Sequence, residues 1–232
     1  MNLDNNVAET MEQETKDYQS NQNNQDIQRN QSNPNVDAFK KALLSTGRKG
    51  IEAVLEGLDK LGFFKAPASS KHHLACEGGL LQHSLNVYMQ ADVIRSAQIK
   101  LNPQMEERLP MNSIIIASLL HDVCKAEIYK KVMKNRKNKE TGRWEEYETY
   151  DYDYSHCPLG HGEKSVIRLI RMGLELTEDE IAAIRWHMGA WDLPSSFEAN
   201  KNLGAAQDKY PLVSVLMAAD TLATRISEGS NV

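Results

Sequence analysis

The sequence is poor in several features that would place it quickly. Its three cysteines, Cys76, Cys124 and Cys157, lie far apart and form no CxxC pair. That excludes a disulfide framework and suits a reducing compartment. No apolar run approaches the roughly 18 residues that a membrane span requires. Met1-Asn2-Leu3-Asp4 has neither a basic n-region nor an apolar h-region, so no signal peptide is expected and the expected location is cytoplasmic. Positive charge is not in excess either. A net charge of −5 offers no general reason to expect a nucleic-acid binder. No internal repeat is visible.

Hydrophobic content, at 41%, is slightly below the globular average, and the first 35 residues explain much of the deficit. Fifteen of them are Asn or Gln, and Ile27 is nearly alone as a large aliphatic in the second half. Such a stretch cannot bury enough apolar surface to offset the entropy of ordering, so residues 1–35 are expected to be a disordered leader. The remaining chain, 36–232, has the length of one domain.

From Val36 onward the pattern is helical. Val36, Phe39, Leu43 and Leu44 form one stripe, and Ile51, Val54, Leu55, Leu58 and Leu61 a second, closed by Gly62 as a C-cap. Residues 66–70 read as a loop. Gly78-Gly79 precedes a long helix carrying Leu80, His83, Val87, Ala91 and Ile94. The central helix is expected from about Asn112 to Val123, between Pro110 and Lys125. Helical signals resume at Gly160-His161 and stop at Met172-Gly173. Thr177 to Glu180 reads as a capping box. Pro194 to Gln207 reads as a loop, and a last helix opens near Pro211.

Between these helices, residues 127–155 change character. A basic half with Lys130, Lys131, Lys134, Arg136, Lys137, Lys139 and Arg143 turns at Thr141-Gly142 into an acidic half with Tyr150, Tyr152 and Tyr154 alternating. This predicts an inserted β-hairpin. Cross-strand pairing on a solvated ribbon explains its charges. The alternative is a basic flap in which Lys134, Arg136 and Lys137 grip a phosphate-rich substrate. The expected fold is therefore an all-α helical bundle with one small β-hairpin.

The informative observation concerns which helix faces carry polar residues. His83 shares a face with Leu80 and Val87, His121 with Ile114 and Ala117, and His187 follows Ala183 and Ile184. Asp220 interrupts the stripe Val213, Leu216, Met217, Ala223. A buried carboxylate is nearly always paired or metal-bound. Taken singly, each residue has a plainer reading, as a hydrogen-bonded core histidine or as an aspartate bonded to a backbone amide or Arg225. Taken together, with Asp122 and His161, a single two-metal site explains all six. His72, His73 and His156 lie in loops and read as surface residues or residues behind the ligands.

These residues carry a resemblance. The order His83, His121-Asp122, His161, His187, Asp220 resembles the HD superfamily of metal-dependent phosphohydrolases, in its dinuclear form with two extra histidines. Gly78-Gly79-Leu80-Leu81-Gln82-His83-Ser84, Leu120-His121-Asp122-Val123-Cys124-Lys125 and Leu159-Gly160-His161 also resemble segments of the HD domain of bacterial 3′–5′ exoribonucleases. The similarity covers roughly residues 70–228. Those exoribonucleases carry an OB-type domain ahead of the HD domain, where this chain has its leader and two short helices.

The resemblance implies one ion on His83, His121, Asp122 and Asp220. It implies a second on His161, His187 and the other oxygen of Asp122. A hydroxide shared by the ions would attack a phosphoester. Mixed His and carboxylate ligands suit Mn, Fe, Co, Ni or Zn. Lys125 is implied as a phosphate ligand or transition-state stabiliser, its alternative being a cation at a helix C-terminus. The function so implied is hydrolysis of a nucleotide, cyclic nucleotide or oligonucleotide phosphoester, of phosphodiesterase, nucleotidase or exonuclease type, without a membrane partner. Two other functions fit the same scaffold: a diiron oxygenase and a non-catalytic binding module.

Overall fold

A computed structural model of the chain describes residues 33–155, 158–192 and 197–229. Two units are distinguished, residues 1–37 and 38–232. The expected leader lies almost wholly outside the described residues, as do His156 and Cys157. Helix α1 runs Pro34–Ser45 and α2 Ile51–Leu61, followed by a 3-10 turn at Phe63–Lys65. The long helix α3 is Gly79–Leu101 and the central helix α4 is Met111–Leu120. Single helical turns stand at Met105–Arg108 and Lys125–Ile128. Strands β1 (Tyr129–Lys137) and β2 (Trp144–Tyr152) form the only sheet among the described residues, antiparallel, with Tyr129 opposite Tyr152 and Lys137 opposite Trp144. Then come α5 (His161–Arg171), α6 (Glu178–Trp186), α7 (Phe197–Lys209) and α8 (Pro211–Leu222), the last continuing as a π-helical turn over Ala223–Ser227. Among the described residues no helix is long and apolar enough to cross a membrane.

The bundle is organised on α4. Every residue from Ser113 to Leu120 is buried, the pattern of a helix surrounded by others rather than of one lying on a surface. Helices α3 and α6 pack against it, α8 packs against α3 and α6, and α5 packs against α6. Fully buried Leu80, Val87, Ile114, Ile116, Leu119, Val213 and Leu216 form the shared core. Each such side chain contributes about 1.5–3 kcal/mol. One close approach depends on glycine: a Cβ on Gly162 would stand 2.4 Å from the Arg185 carbonyl oxygen. That contact seats the start of α5 directly on the end of α6, next to the turn carrying His187.

Local signals determine several boundaries. Thr177 and Glu180 form the reciprocal capping box, Pro211 occupies the first turn of α8, and Gly62 ends α2 at φ 74°. Two expectations need correction. The central helix stops at Leu120, and His121 to Cys124 form a turn. The stretch expected as a loop from Pro194 contains α7, whose reading failed because the helix buries none of its residues. Ala199, Leu203, Ala205 and Ala206 favour helix by propensity alone, without an apolar stripe.

The hairpin answers its charges internally. Lys134 pairs with Asp151 at 2.8 Å, Arg136 with Glu145 at 2.7 Å and Lys131 with Glu148 at 2.9 Å. Exposed pairs of this kind add little stability. Of the three residues to which the alternative reading gave a grip on substrate, two pair with carboxylates, and Lys137 lies exposed at the strand end opposite Trp144.

Candidate metal centre

Four elements deliver the candidate ligands. His83 lies on the second turn of α3, His121 and Asp122 follow the end of α4, His187 follows the end of α6, and Asp220 is on the last turn of α8. His83, His121, Asp122 and His187 are almost completely buried, while Asp220 keeps 16% of its side chain exposed. The apolar faces on which they sit turn them inward, and the packing of α3, α4, α6 and α8 makes the inward directions meet.

The imidazoles are oriented alike. At the ends of α4 and α6, His121 Nδ1 lies 2.9 Å from the Ser118 carbonyl oxygen and His187 Nδ1 lies 2.7 Å from that of Ile184. Carbonyls only accept, so both Nδ1 atoms carry hydrogen, satisfying helix-end groups that would otherwise be orphaned. His83 Nδ1 lies 3.1 Å from both oxygens of Glu228 and donates there. All three Nε2 atoms then face one another and the aspartates. His83 Nε2 is 3.3 Å from His121 Nε2 and 3.3 Å from Asp220 Oδ1. Asp122 Oδ2 lies 3.2 Å from His121 Nε2 and 3.5 Å from His83 Nε2. Its other oxygen lies 3.5 Å from His187 Nε2. Two groups, His83–His121–Asp122 and His121–His187–Asp220, each bring their ligand atoms within 4.8 Å of one another.

Imidazole nitrogens and carboxylate oxygens brought together in this way in a buried space could hold a cation. Asp122 Oδ1 and His187 Nε2 are both buried without a hydrogen-bond partner, which is costly unless something else binds them. Protons meet part of the same demand. Burial works against charge on His83, but hydrogen bonds to Asp122, Asp220 and Glu228 outweigh it and hold its pKa well above the ordinary range. Burial likewise opposes a charged His187, and Asp122 reverses the effect; His121 is pushed down, chiefly by burial. Burial disfavours both aspartate anions. Lys125 and the imidazoles pull Asp122 well below its usual value, and His83 leads in doing the same for Asp220. A cation and these protons compete for the same atoms. The donor set of neutral imidazole and carboxylate fits a divalent transition metal.

Lys125 is buried with Nζ 2.6 Å from Asp122 Oδ2. It opens a helical turn and its charge sits on this carboxylate, so the helix C-terminus reading is replaced. His161, the first residue of α5, joins neither group; its Nδ1 lies 3.9 Å from the buried thiol of Cys124.

Two further residues belong beside the site, of which the sequence did not single out Glu228. His73, read as a loop residue, packs its ring 5.0 Å from that of His83, and burial leads in pushing its pKa down to about 4. His73, His83 and Glu228 form a third compact group. Glu228 accepts from His83 and also from Asn86 Nδ2 at 2.9 Å. A carboxylate behind a ligating histidine fixes its tautomer and raises its basicity. The expected result of Glu228→Ala is therefore a 10–100-fold weaker affinity for Mn²⁺, measured by calorimetric titration, with Glu228→Gln keeping part of it. Equal affinities in all three proteins would remove Glu228 from the centre.

Fold and site together define a mostly helical protein with buried His/Asp groups that could hold metal ions. Comparisons of the chain with family models, with curated proteins and with solved structures find no match.

Proposed function

We propose that this chain is a metal-dependent phosphohydrolase, cleaving a phosphoester of a nucleotide, cyclic nucleotide or oligonucleotide at a centre of two divalent transition metal ions. One observation carries the reading: three imidazoles and two carboxylates converge, with Asp122 Oδ1 and His187 Nε2 at their focus without a hydrogen-bond partner among the described residues. The ordered ligand pattern and its resemblance to HD phosphohydrolases support the reaction class.

In this reading His83, His121, Asp122 and Asp220 would hold one ion, and Asp122, His187 and His161 would hold the other, with Asp122 shared between them. Asp122 supports that role by presenting its two oxygens to different partners, Oδ2 toward His83 and His121 and Oδ1 toward His187. Such ions, when bound, supply Lewis-acid stabilisation of the phosphoryl group and a water acidic enough to ionise near neutral pH. The chain's own part is orientation. Carbonyl oxygens at two helix ends and the Glu228 carboxylate keep each Nε2 aimed inward, and the buried setting limits competing water. Lys125, anchored on Asp122, brings positive charge to the place where a phosphoryl oxygen gains negative charge.

The test is elemental analysis of the purified chain followed by a phosphoesterase screen with Mn²⁺ and with Fe²⁺ under anaerobic conditions. Near two ions per chain with release of phosphate or nucleotide is the expected result. A single ion per chain would remove His161 from the ligand set. Two irons with turnover only in oxygen would replace hydrolysis by oxygenase chemistry. No metal after reconstitution would overturn the centre itself.

A further inference from the structure

A cleft of about 790 Å³ opens beside the candidate centre, lined by Lys71, His72, His73 and Leu74 on one side and by Thr224, Arg225, Glu228 and Gly229 on the other. Its volume suits a ligand of nucleotide size. Two of its lining residues touch candidate metal ligands directly: Thr224 Oγ1 lies 3.4 Å from Asp220 Oδ1, and Glu228 holds His83. The cleft therefore ends at the exposed side of the centre, where Asp220 is the ligand that solvent reaches.

Both walls are built rather than loose. On the first, Ser69 Oγ accepts from the His72 backbone N–H at 2.9 Å and donates to the His73 carbonyl at 2.8 Å. Leu74 then takes φ 45°, a left-handed conformation unfavourable for leucine. Its carbonyl oxygen accepts from the Ala68 N–H at 3.1 Å. It also stands where a Cβ on residue 79 would lie, only 2.0 Å away, so glycine is required there. The second wall is the π-helical turn.

The charges of this cleft differ from those of the hairpin. Lys134, Arg136 and Lys131 all carry carboxylate partners, whereas neither Lys71 nor Arg225 forms an ion pair among the described residues. Lys71 does contribute to the field at Asp151, behind the Lys134 hydrogen bond that leads in lowering that carboxyl. Glu228, the acid of the cleft, is already committed to His83 and Asn86. His73 Nε2 is buried and has no hydrogen-bond partner among the described residues, facing Glu228 at 3.9 Å. A polar cleft with two uncommitted cations and an unsatisfied imidazole nitrogen is suited to an anion.

We infer that this cleft binds a second anionic group of the substrate, a phosphate beyond the one that reacts, with Lys71 and Arg225 as its cationic partners. This rests on the phosphoesterase reading and narrows it: the preferred substrate carries at least two phosphates, as in a nucleoside bisphosphate or a short 5′-phosphorylated oligonucleotide. The grip on phosphate that one reading of the sequence gave to Lys134, Arg136 and Lys137 is assigned in this proposal to Lys71 and Arg225.

The test compares the full-length Mn²⁺-loaded protein with a Lys71→Ser, Arg225→Ser double variant on two chromogenic esters. One is bis(4-nitrophenyl) phosphate; the other is thymidine 3′-(4-nitrophenyl phosphate) carrying a 5′-phosphate. The variant is expected to raise KM for the 5′-phosphorylated ester about tenfold or more, with kcat little changed and KM for the simple ester within about twofold. Equal effects on both esters, or none on either, would overturn the inference. Should neither ester be hydrolysed, calorimetric binding of thymidine 3′,5′-bisphosphate to the two proteins separates the questions. About tenfold weaker binding by the variant keeps the cleft assignment while the phosphoesterase reading fails; equal binding overturns the cleft assignment as well.

Discussion

Asp122→Asn is expected to bring metal content to background and to lower phosphoesterase turnover about a thousandfold or more, with the helical fold intact. The reason is the number of roles that this one carboxylate fills. It faces three imidazoles and takes the Lys125 ammonium at 2.6 Å. Removing its charge withdraws the proposed bridge, and with the ions go several kcal/mol of transition-state stabilisation. The amide keeps the shape, so loss of metal can be separated from loss of fold by circular dichroism. Asp122→Ala should be worse in the second respect, because both variants remove the counter-charge of buried Lys125 but only the amide leaves its ammonium a hydrogen-bond acceptor. Full metal content and full turnover in Asp122→Asn would overturn the two-ion centre.

The second large effect concerns stability away from the centre. Glu180 is completely buried, and both of its oxygens take Arg48 nitrogens at 2.8 Å. Oε1 also accepts from Ser113 Oγ at 2.7 Å, and Oε2 from the Thr177 backbone N–H at 2.9 Å. One carboxylate thus joins the segment before α2, the start of α4 and the N-terminus of α6. Arg48 adds a further bond to the Glu175 carbonyl at 2.8 Å. Glu180→Ala leaves a largely buried guanidinium and a buried hydroxyl unpaired and removes half of the capping box. It is expected to cost about 3–5 kcal/mol, which at about 2–4 °C per kcal/mol for a chain of this size is a fall in Tm of roughly 6–20 °C. Thermal and urea unfolding of the two proteins measure it. A fall of less than about 1 kcal/mol would mean that water replaces the network at no cost.

The two residues illustrate different degrees of legibility. Asp122 was visible beforehand, since a His-Asp pair closing the run Ile114 to Leu120 must be compensated somehow. Glu180 was visible only as a helix cap; its partnership with Arg48, 132 residues earlier, leaves no local trace. The same division runs through the candidate centre. His83, His121, His187 and Asp220 could be found because each interrupts an apolar face, and period-3.6 patterning records which side of a helix turns inward. Glu228 could not. In a regular α-helix the residue aligned with Asp220 two turns on is Ser227, and the π turn over Ala223–Ser227 inserts one residue that brings Glu228 into that place instead. His73 was left between two readings, at the surface or behind the ligands, because it sits in a loop whose shape depends on Ser69, Leu74 and Gly79 rather than on any period. The charges of the hairpin were legible, but whether they face a substrate or one another was decided by strand register.

By itself, then, the sequence determined which segments with an apolar stripe are helical, α7 having none, where several begin and end, and which polar side chains are forced into an apolar interior. Those follow from backbone geometry and from the cost of burying charge, both local in the chain. The tertiary structure alone decided that these side chains meet, that Glu228 stands behind His83, and that Lys71 and Arg225 line the cleft beside the centre without an ion pair among the described residues. Such juxtapositions depend on how α3, α4, α6 and α8 pack and on two irregular turns, and packing joins residues whose separation along the chain carries no periodic signal.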